Sequence, residues 1–161
     1  KDQVALCCPL HCTTHPLPLT PHCTFLGEIE RVHPWEQAAP GERRIQAESG
    51  DWVPDQIMDD TGISCTTPEG LVVCTGCAHS GIGNTLLQAE RVNRESRLRD
   101  VIGGWHLEGS DRHRIEETVR FLAARKPRTL HPCHCTSFAA RVALSRALPV
   151  EEAGVGLQLK Y

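Results

Sequence analysis

The sequence predicts a layered α/β fold, and three observations carry that prediction. From about residue 60 onward, short apolar runs alternate with longer stretches whose apolar residues recur at helical spacing. The run Leu71-Val72-Val73-Cys74 is β-branched and continuously apolar, which suits a strand covered on both faces. Three such runs end at a polar or glycine-bearing turn, and each turn carries a histidine. In layered α/β folds, ligands and metals bind beyond the C-terminal ends of the strands.

In chain order, residues 1–18 read as an irregular leader rich in Cys, His and Pro. Cys7-Cys8-Pro9-Leu10-His11-Cys12-Thr13-Thr14-His15 holds five potential zinc ligands, but their spacing matches no common zinc module. Pro9, Pro16, Pro18 and Pro21 make the stretch loop-like. Thr24-Phe25-Leu26-Gly27-Glu28-Ile29 suits a short strand with a glycine irregularity. Residues 33–60 form a polar excursion of the kind that frames a site. Trp35 and Trp52 fall in it, where pinning the loop to the core is the simpler role and lining a pocket the other. Asp59-Asp60 reads as a solvated turn.

Gly62-Ile63-Ser64-Cys65-Thr66-Thr67 and Leu71 to Thr75 flank Pro68-Glu69-Gly70, a hairpin signal. Beyond the second strand, Gly76 is expected to turn the chain where a Cβ would clash. Ile82 to Val92 has one apolar face and reads as an amphipathic helix. Asp100 to Gly104 is the next strand. Ser110-Asp111 opens a helix to about Arg125, with Ile115, Val119, Phe121 and Leu122 inward, and Lys126-Pro127 ends it. Thr129 to His131 is a strand. Thr136 or Ser137 caps a helix from Phe138 to Leu148, with Ala139, Val142, Ala143 and Ala147 inward. Gly154 to Lys160 alternates like a closing strand.

With 161 residues the chain suits one domain with one core. Its charged fraction of 23% and hydrophobic fraction of 40% are ordinary for a folded protein. A formal net charge of -3 without a basic block argues against nucleic acid as a partner. No apolar run approaches the roughly 18 residues of a membrane span. Nothing in Lys1-Asp2-Gln3-Val4 suggests a signal peptide, and the missing initiator Met points to a processed chain or a fragment. Nine cysteines without small-domain disulfide spacing suggest mostly unbridged thiols in a reducing, cytoplasmic setting.

His79, His106 and His134 are the candidate metal ligands, since parallel neighbouring strands would bring three strand-end histidines to one sheet edge. For any one of them alone, a hydrogen-bonded core or loop histidine is the simpler reading; the shared context is what favours metal. His131 would stand behind the ligands, and His113 belongs to a helix surface. Cys77 and Cys133, beside His79 and His134, suit ligands, redox groups or plain buried thiols. Cys133-x-Cys135 lacks the Cys-x-x-Cys redox spacing. Thr136 and Ser137, at a helix start, could hold an anionic group such as a phosphate as well as cap the helix.

Thr75-Gly76-Cys77-Ala78-His79-Ser80-Gly81-Ile82, Val101-Ile102-Gly103-Gly104-Trp105-His106-Leu107 and Pro132-Cys133-His134-Cys135-Thr136 together resemble the metallo-β-lactamase-fold hydrolases. The nearest branch is the one like dihydropterin-ribofuranosylaminobenzene-phosphate synthase. Leu26-Gly27-Glu28-Ile29-Glu30-Arg31, Trp52-Val53-Pro54-Asp55, Asp59-Asp60 and Gly154-Val155-Gly156 are similar to that branch too, so the resemblance spans residues 19–161. It implies an αββα sandwich with a metal centre at one edge of the sheets. It also implies hydrolysis through metal-activated water of a phosphate-bearing or ester small molecule. The metal would be divalent, Zn first, with Mn or Fe as alternatives. His79 and His134 match the family's downstream histidine ligands, and His106 lies near the place of its bridging aspartate. The family's His-x-His-x-Asp-His motif is absent, and His11-Cys12-Thr13-Thr14-His15 does not replace it. The chain therefore reads as the C-terminal half of such a sandwich, whose partner would be a missing N-terminal half or a second copy. The rival reading is a non-catalytic zinc- or thiol-containing binding module.

Overall fold

A computed structural model describes residues 9–36, 43–45, 49–109 and 112–161. Two short strands, β1 (Leu17–Pro18) and β2 (Cys23–Phe25), pair antiparallel. β1 thus falls inside the stretch read as a leader, and the Glu28 amide donates to Thr14 O at 2.9 Å, tying that stretch to the domain. A separate pair, β3 (Arg43–Ile45) and β4 (Trp52–Pro54), lies within the 33–60 excursion. β2 pairs antiparallel with β5 (Gly62–Thr67), which forms the expected hairpin with β6 (Gly70–Thr75) through Pro68-Glu69.

Then the pattern changes. Helix α1 (Ile82–Asn93) carries the chain to β7 (Leu98–Gly104), and α2 (Arg112–Arg125) carries it to β8 (Thr129–Cys133). Both new pairings, β6 with β7 and β7 with β8, are parallel. This follows from the long helical crossovers, which return the chain to the same end of the sheet. The six-stranded order is β1-β2-β5-β6-β7-β8, and α3 (Phe138–Ser145) follows the last strand. The C-terminal ends of β6, β7 and β8 therefore lie side by side. The expected cap residues of α2, Ser110 and Asp111, fall outside the described residues.

One face of the sheet joins all three helices. Leu71, Val73, Val101 and Leu130 form a single apolar cluster with Ile82, Leu86 and Ala89 of α1, Leu122 of α2, and Ala140 and Leu144 of α3. Each fully buried leucine stabilises this layer by roughly 2 kcal/mol. Ile115, Val119 and Phe121 are half-buried against the cluster. The inward face of α3 differs from expectation: Ala140, Leu144 and Leu148 are buried, whereas Ala139 and Ala147 are exposed. The helix ends at Ser145, short of the expected Leu148, and small residues on both of its sides leave the sequence pattern open to either face.

On the opposite face, Ile63, Cys74, Ile102 and His131 stand in one row across four strands. Ile63 is 38% exposed and Cys74 is exposed as well. The C-terminal segment meets this face instead of forming the expected strand over 154–160. Tyr161 donates from its hydroxyl to Asp100 Oδ2 at 2.7 Å, and Glu151 lies 3.6 Å from His131 Nε2. An isolated bridge from Leu130 to Val150 is what extends the sheet. The expectation of unbridged thiols holds for Cys12, Cys74, Cys77, Cys133 and Cys135, whereas Cys23 and Cys65, cross-strand neighbours in β2 and β5, form a disulfide.

The long excursion is anchored at the start of α1. Helix α1 begins at Gly81 with no side-chain cap of its own. Glu36 supplies it from afar, accepting from the Gly83 and Asn84 amides at 2.7 Å each. Asn84 Oδ1 in turn accepts from the Val32 and His33 amides at 2.9 Å. Gly81 is needed because a Cβ there would lie 2.3 Å from Glu36 Cδ. Trp35 stacks on His33, with ring centroids 5.0 Å apart, and reaches Phe121 of α2, so it pins the loop as expected. Trp52, by contrast, is 57% exposed. Asp60 is not a solvated turn residue: it is buried and accepts from the Ser80 amide at 2.8 Å.

Burial pushes the Glu36 carboxyl up to about 7, against the two backbone donors and the Arg114 charge. The folded state therefore keeps a proton that the unfolded chain loses near its ordinary value of 4.5. Stability from this group is full below that value and falls as pH rises to about 7. In denaturant titrations from pH 4 to 8, Glu36→Gln should lack this slope. The parent-minus-variant difference should change across the window by on the order of 3 kcal/mol.

Candidate metal centre

The three strand ends close on one another because β7 ends in two glycines. A Cβ on Gly103 would lie 2.2 Å from Thr75 O, and one on Gly104 would lie 2.5 Å from Gly76 O and 2.7 Å from Cys135 Sγ. Without them, the loops after β6 and β8 can meet over the end of β7. Gly76, expected to be the tight position, would have nothing within 4 Å of an added Cβ, so the steric demand sits on β7 instead.

Hydrogen bonds then stitch the three ends. The Gly104 amide donates to Gly76 O at 2.9 Å, and Thr75 Oγ1 donates to Gly104 O at 2.9 Å. The Trp105 amide donates to Thr136 Oγ1 at 3.1 Å, and the Leu107 amide to Cys135 O at 3.0 Å. The His106 amide donates to Cys135 Sγ at 3.2 Å.

Each loop also holds a non-glycine residue in the left-handed region. Ala78 has φ 50°, His106 φ 46° and His134 φ 50°. Such a conformation costs roughly 1 kcal/mol or more per residue and concentrates where side chains must be aimed. Two of these three residues are candidate ligands.

The structure sorts the predicted residues into two adjacent sets. His79 and His106 lie side by side, both half-buried, with ring centroids 4.3 Å apart. Exposed His134 stands instead with half-buried Cys77 and Cys135, the ligand atoms of the three all within 4.8 Å of one another. Tetrahedral zinc places sulfur and nitrogen ligand atoms about 3.5 to 3.8 Å apart, so this group needs only a small closure to hold a metal. Among the described residues, His11, Cys12 and His15 form no such group with each other; Cys7 and Cys8 lie outside the described residues.

The sequence singles out Cys133 beside His134, but Cys135 is the thiol that faces the group. Cys133 ends β8, whereas Cys135 lies in the turn beyond the left-handed His134. His131 is buried in the middle of β8, with Nδ1 2.9 Å from Asp100 Oδ1. That bond lies on the face met by the C-terminal segment, not behind the candidate ligands. His113 is exposed, as expected. Ser137 caps α3 by accepting from the Ala140 amide at 3.2 Å, and buried Thr136 is held by the Trp105 amide.

The comparisons with known proteins agree with the fold. No family model matches the chain. Its fold superposes with TM-score 0.78 and 26% identity on a metal-dependent hydrolase of the β-lactamase superfamily, covering 95% of this chain and 58% of that one. The chain has the fold of the metallo-β-lactamase superfamily. The branch is supported by 31% identity over 126 residues to 7,8-dihydropterin-6-methyl-4-(beta-D-ribofuranosyl)-aminobenzene-5'-phosphate synthase of Methanocaldococcus jannaschii. That match covers 78% of this chain and 43% of the synthase. An uncharacterised protein of the same organism is 31% identical over 97 residues, 60% of this chain and 35% of the relative. The chain thus spans less than two thirds of the length of each of these three proteins. Its mixed α/β architecture is the one expected, with a helical layer on one face of the six-stranded sheet. Among the described residues no helix is long and apolar enough to cross a membrane.

The β7 glycines carry a direct test. Gly104→Ala should destabilise the protein by about 2 kcal/mol or more, because both neighbours of the new Cβ are held by the stitched loops. Gly76→Ala, with open space at its Cβ, should stay within about 0.5 kcal/mol of the parent. Denaturant unfolding of both variants reads the contrast.

Proposed function

We propose that this chain provides the histidine- and thiol-bearing side of a metal-dependent hydrolase centre acting on a phosphate-bearing or ester small molecule. The observation that carries it is the convergence of three histidine loops at the ends of β6, β7 and β8, each turned by a left-handed residue. A superfamily neighbour described as a metal-dependent hydrolase supports the reaction class, and the synthase relative supports a phosphate-bearing substrate.

In this reading His79, His106 and His134 hold a divalent metal, with zinc favoured by the imidazole and thiol donors. A metal held there supplies Lewis acidity and brings the pKa of water to about 7. The Asp60 carboxylate, through the Ser80 amide, holds the His79 loop in place. Gly104 and the Cys135 backbone do the same for the His106 and His134 loops. Thr136 and Ser137, beside His134 at the start of α3, orient an anionic substrate group. The open row Ile63-Cys74-Ile102 accepts a complementary sheet, from an N-terminal half or a second copy. Five of the seven described cysteines lie outside the Cys23–Cys65 disulfide; these five suit a reducing, cytoplasmic setting and the one disulfide weighs against it. A non-catalytic zinc- or thiol-containing binding module is the second reading, and the Cys77–His134–Cys135 group is what favours it.

Elemental analysis of protein purified without added metal tests the first reading. About one equivalent or more of Zn, Mn or Fe in the parent, lost in the His79→Ala/His134→Ala double variant, is the expected result. Metal-dependent turnover of phosphodiesters or esters, abolished in the same variant, would separate the enzyme from the binding module. A parent without metal overturns the first reading and the zinc form of the second.

A further inference from the structure

We propose that Cys77 and Cys135 are metal ligands, so that the centre in this chain is a mixed thiolate–imidazole site rather than one of histidine and carboxylate alone. This rests on the metal-binding reading above and goes further, because it selects the metal class: a borderline-soft divalent ion such as Zn²⁺, Co²⁺ or Cd²⁺ over Mn²⁺ or Mg²⁺.

Four observations carry it. First, Cys77, His134 and Cys135 offer ligand atoms that all lie within 4.8 Å of one another, a spacing short of closure by only about an ångström for a tetrahedral ion. The three come from two loops after non-adjacent strands, so no local turn accounts for their meeting. Second, the site is built around Cys135. Gly104 leaves the space that its sulfur occupies, since a Cβ there would stand 2.7 Å from Cys135 Sγ. Third, the His106 amide aims at that sulfur from 3.2 Å, the kind of backbone donor that stabilises a thiolate and orients it. Fourth, neither thiol is consumed by a disulfide: the one among the described residues joins Cys23 and Cys65, and Cys133, two residues before Cys135 in sequence, is outside the group.

His134 is the hinge between the two donor sets. It is exposed and held at φ 50° with its ring nitrogen near both thiols, while His79 and His106 lie together as a separate pair. On binding, each coordinating thiol gives its proton to solvent, and the sulfur lone pair forms the metal bond. The weak contact from Cys135 Sγ to Cys77 O, 3.5 Å in this structure, is then given up.

The test is a Co²⁺ titration of the reduced, metal-free full chain, followed by absorption spectroscopy. A near-ultraviolet sulfur-to-cobalt charge-transfer band is expected, saturating together with the visible d–d bands. Cys77→Ser and Cys135→Ser should each weaken the band and lower affinity roughly tenfold or more, since even outer-shell partners of metal ligands cost that much. The double variant should lose the band, and Cys133→Ser should keep it. Zinc K-edge absorption of the parent gives a second measurement that needs no variant, with two sulfur ligands expected. Cobalt bound with d–d bands but no charge-transfer band, or zinc without sulfur neighbours, overturns the thiolate assignment and leaves the histidine centre standing. A band that persists in the double variant overturns it too. No cobalt bound by the parent overturns both the assignment and the metal-binding reading.

Discussion

The close approach of three strand ends over Gly103 and Gly104 is the constraint on which the rest of the site depends. Backbone oxygens of Thr75 and Gly76 and the sulfur of Cys135 occupy the positions where side chains of β7 would otherwise begin. Parallel pairing brings the ends of β6, β7 and β8 to one edge of the sheet. It does not by itself bring their loops into contact, because neighbouring strands run about 4.8 Å apart. The missing side chains allow the loops to fold inward until amides, carbonyls and a thiol from different strands bond one another. The loops that carry the histidines are thus fixed through their backbone.

That arrangement places strain where chemistry would use it. Ala78, His106 and His134 all hold left-handed backbone, a state the stitched loops must enforce. Rigidity is reinforced from below. Glu36 and Asn84 fasten the long excursion to the start of α1, and Asp60 holds the Ser80 amide next to His79. A carboxylate buried at a helix start is costly to charge, yet it gains two backbone donors and the favourable end of the helix dipole. The same contacts thus connect the loop, the helix and the candidate ligand.

The two faces of the sheet are unequal. One forms a continuous core with three helices, and the other mixes exposed Ile63 and Cys74 with buried Asp100 and His131. The C-terminal segment is drawn to that second face by polar contacts, Tyr161 to Asp100 and Glu151 beside His131. This explains why an alternating apolar sequence over residues 154–160 does not add a strand. Bonding to the sheet edge passes to Val150, and the residues beyond follow the buried carboxylate and imidazole.

The order of strands and helices, the hairpin at Pro68-Glu69-Gly70 and the gathering of His79, His106 and His134 near one edge are legible in the sequence. They depend on local signals, namely β-branched runs, turn residues and helical periodicity. What depends on contacts between distant residues is not. The inward face of α3 is misread because small residues on both sides of a short helix leave its periodicity ambiguous. Asp60 reads as a solvated acid because its partner, the Ser80 amide, is far away in sequence, and the same distance hides the bonds of Glu36 to Gly83 and Asn84. The sequence by itself determined an α/β domain with histidines at its strand ends, because periodicity and turn chemistry are local. Only the tertiary structure decided that Cys135, and not Cys133, joins Cys77 and His134, because that choice depends on space left by Gly104 on another strand.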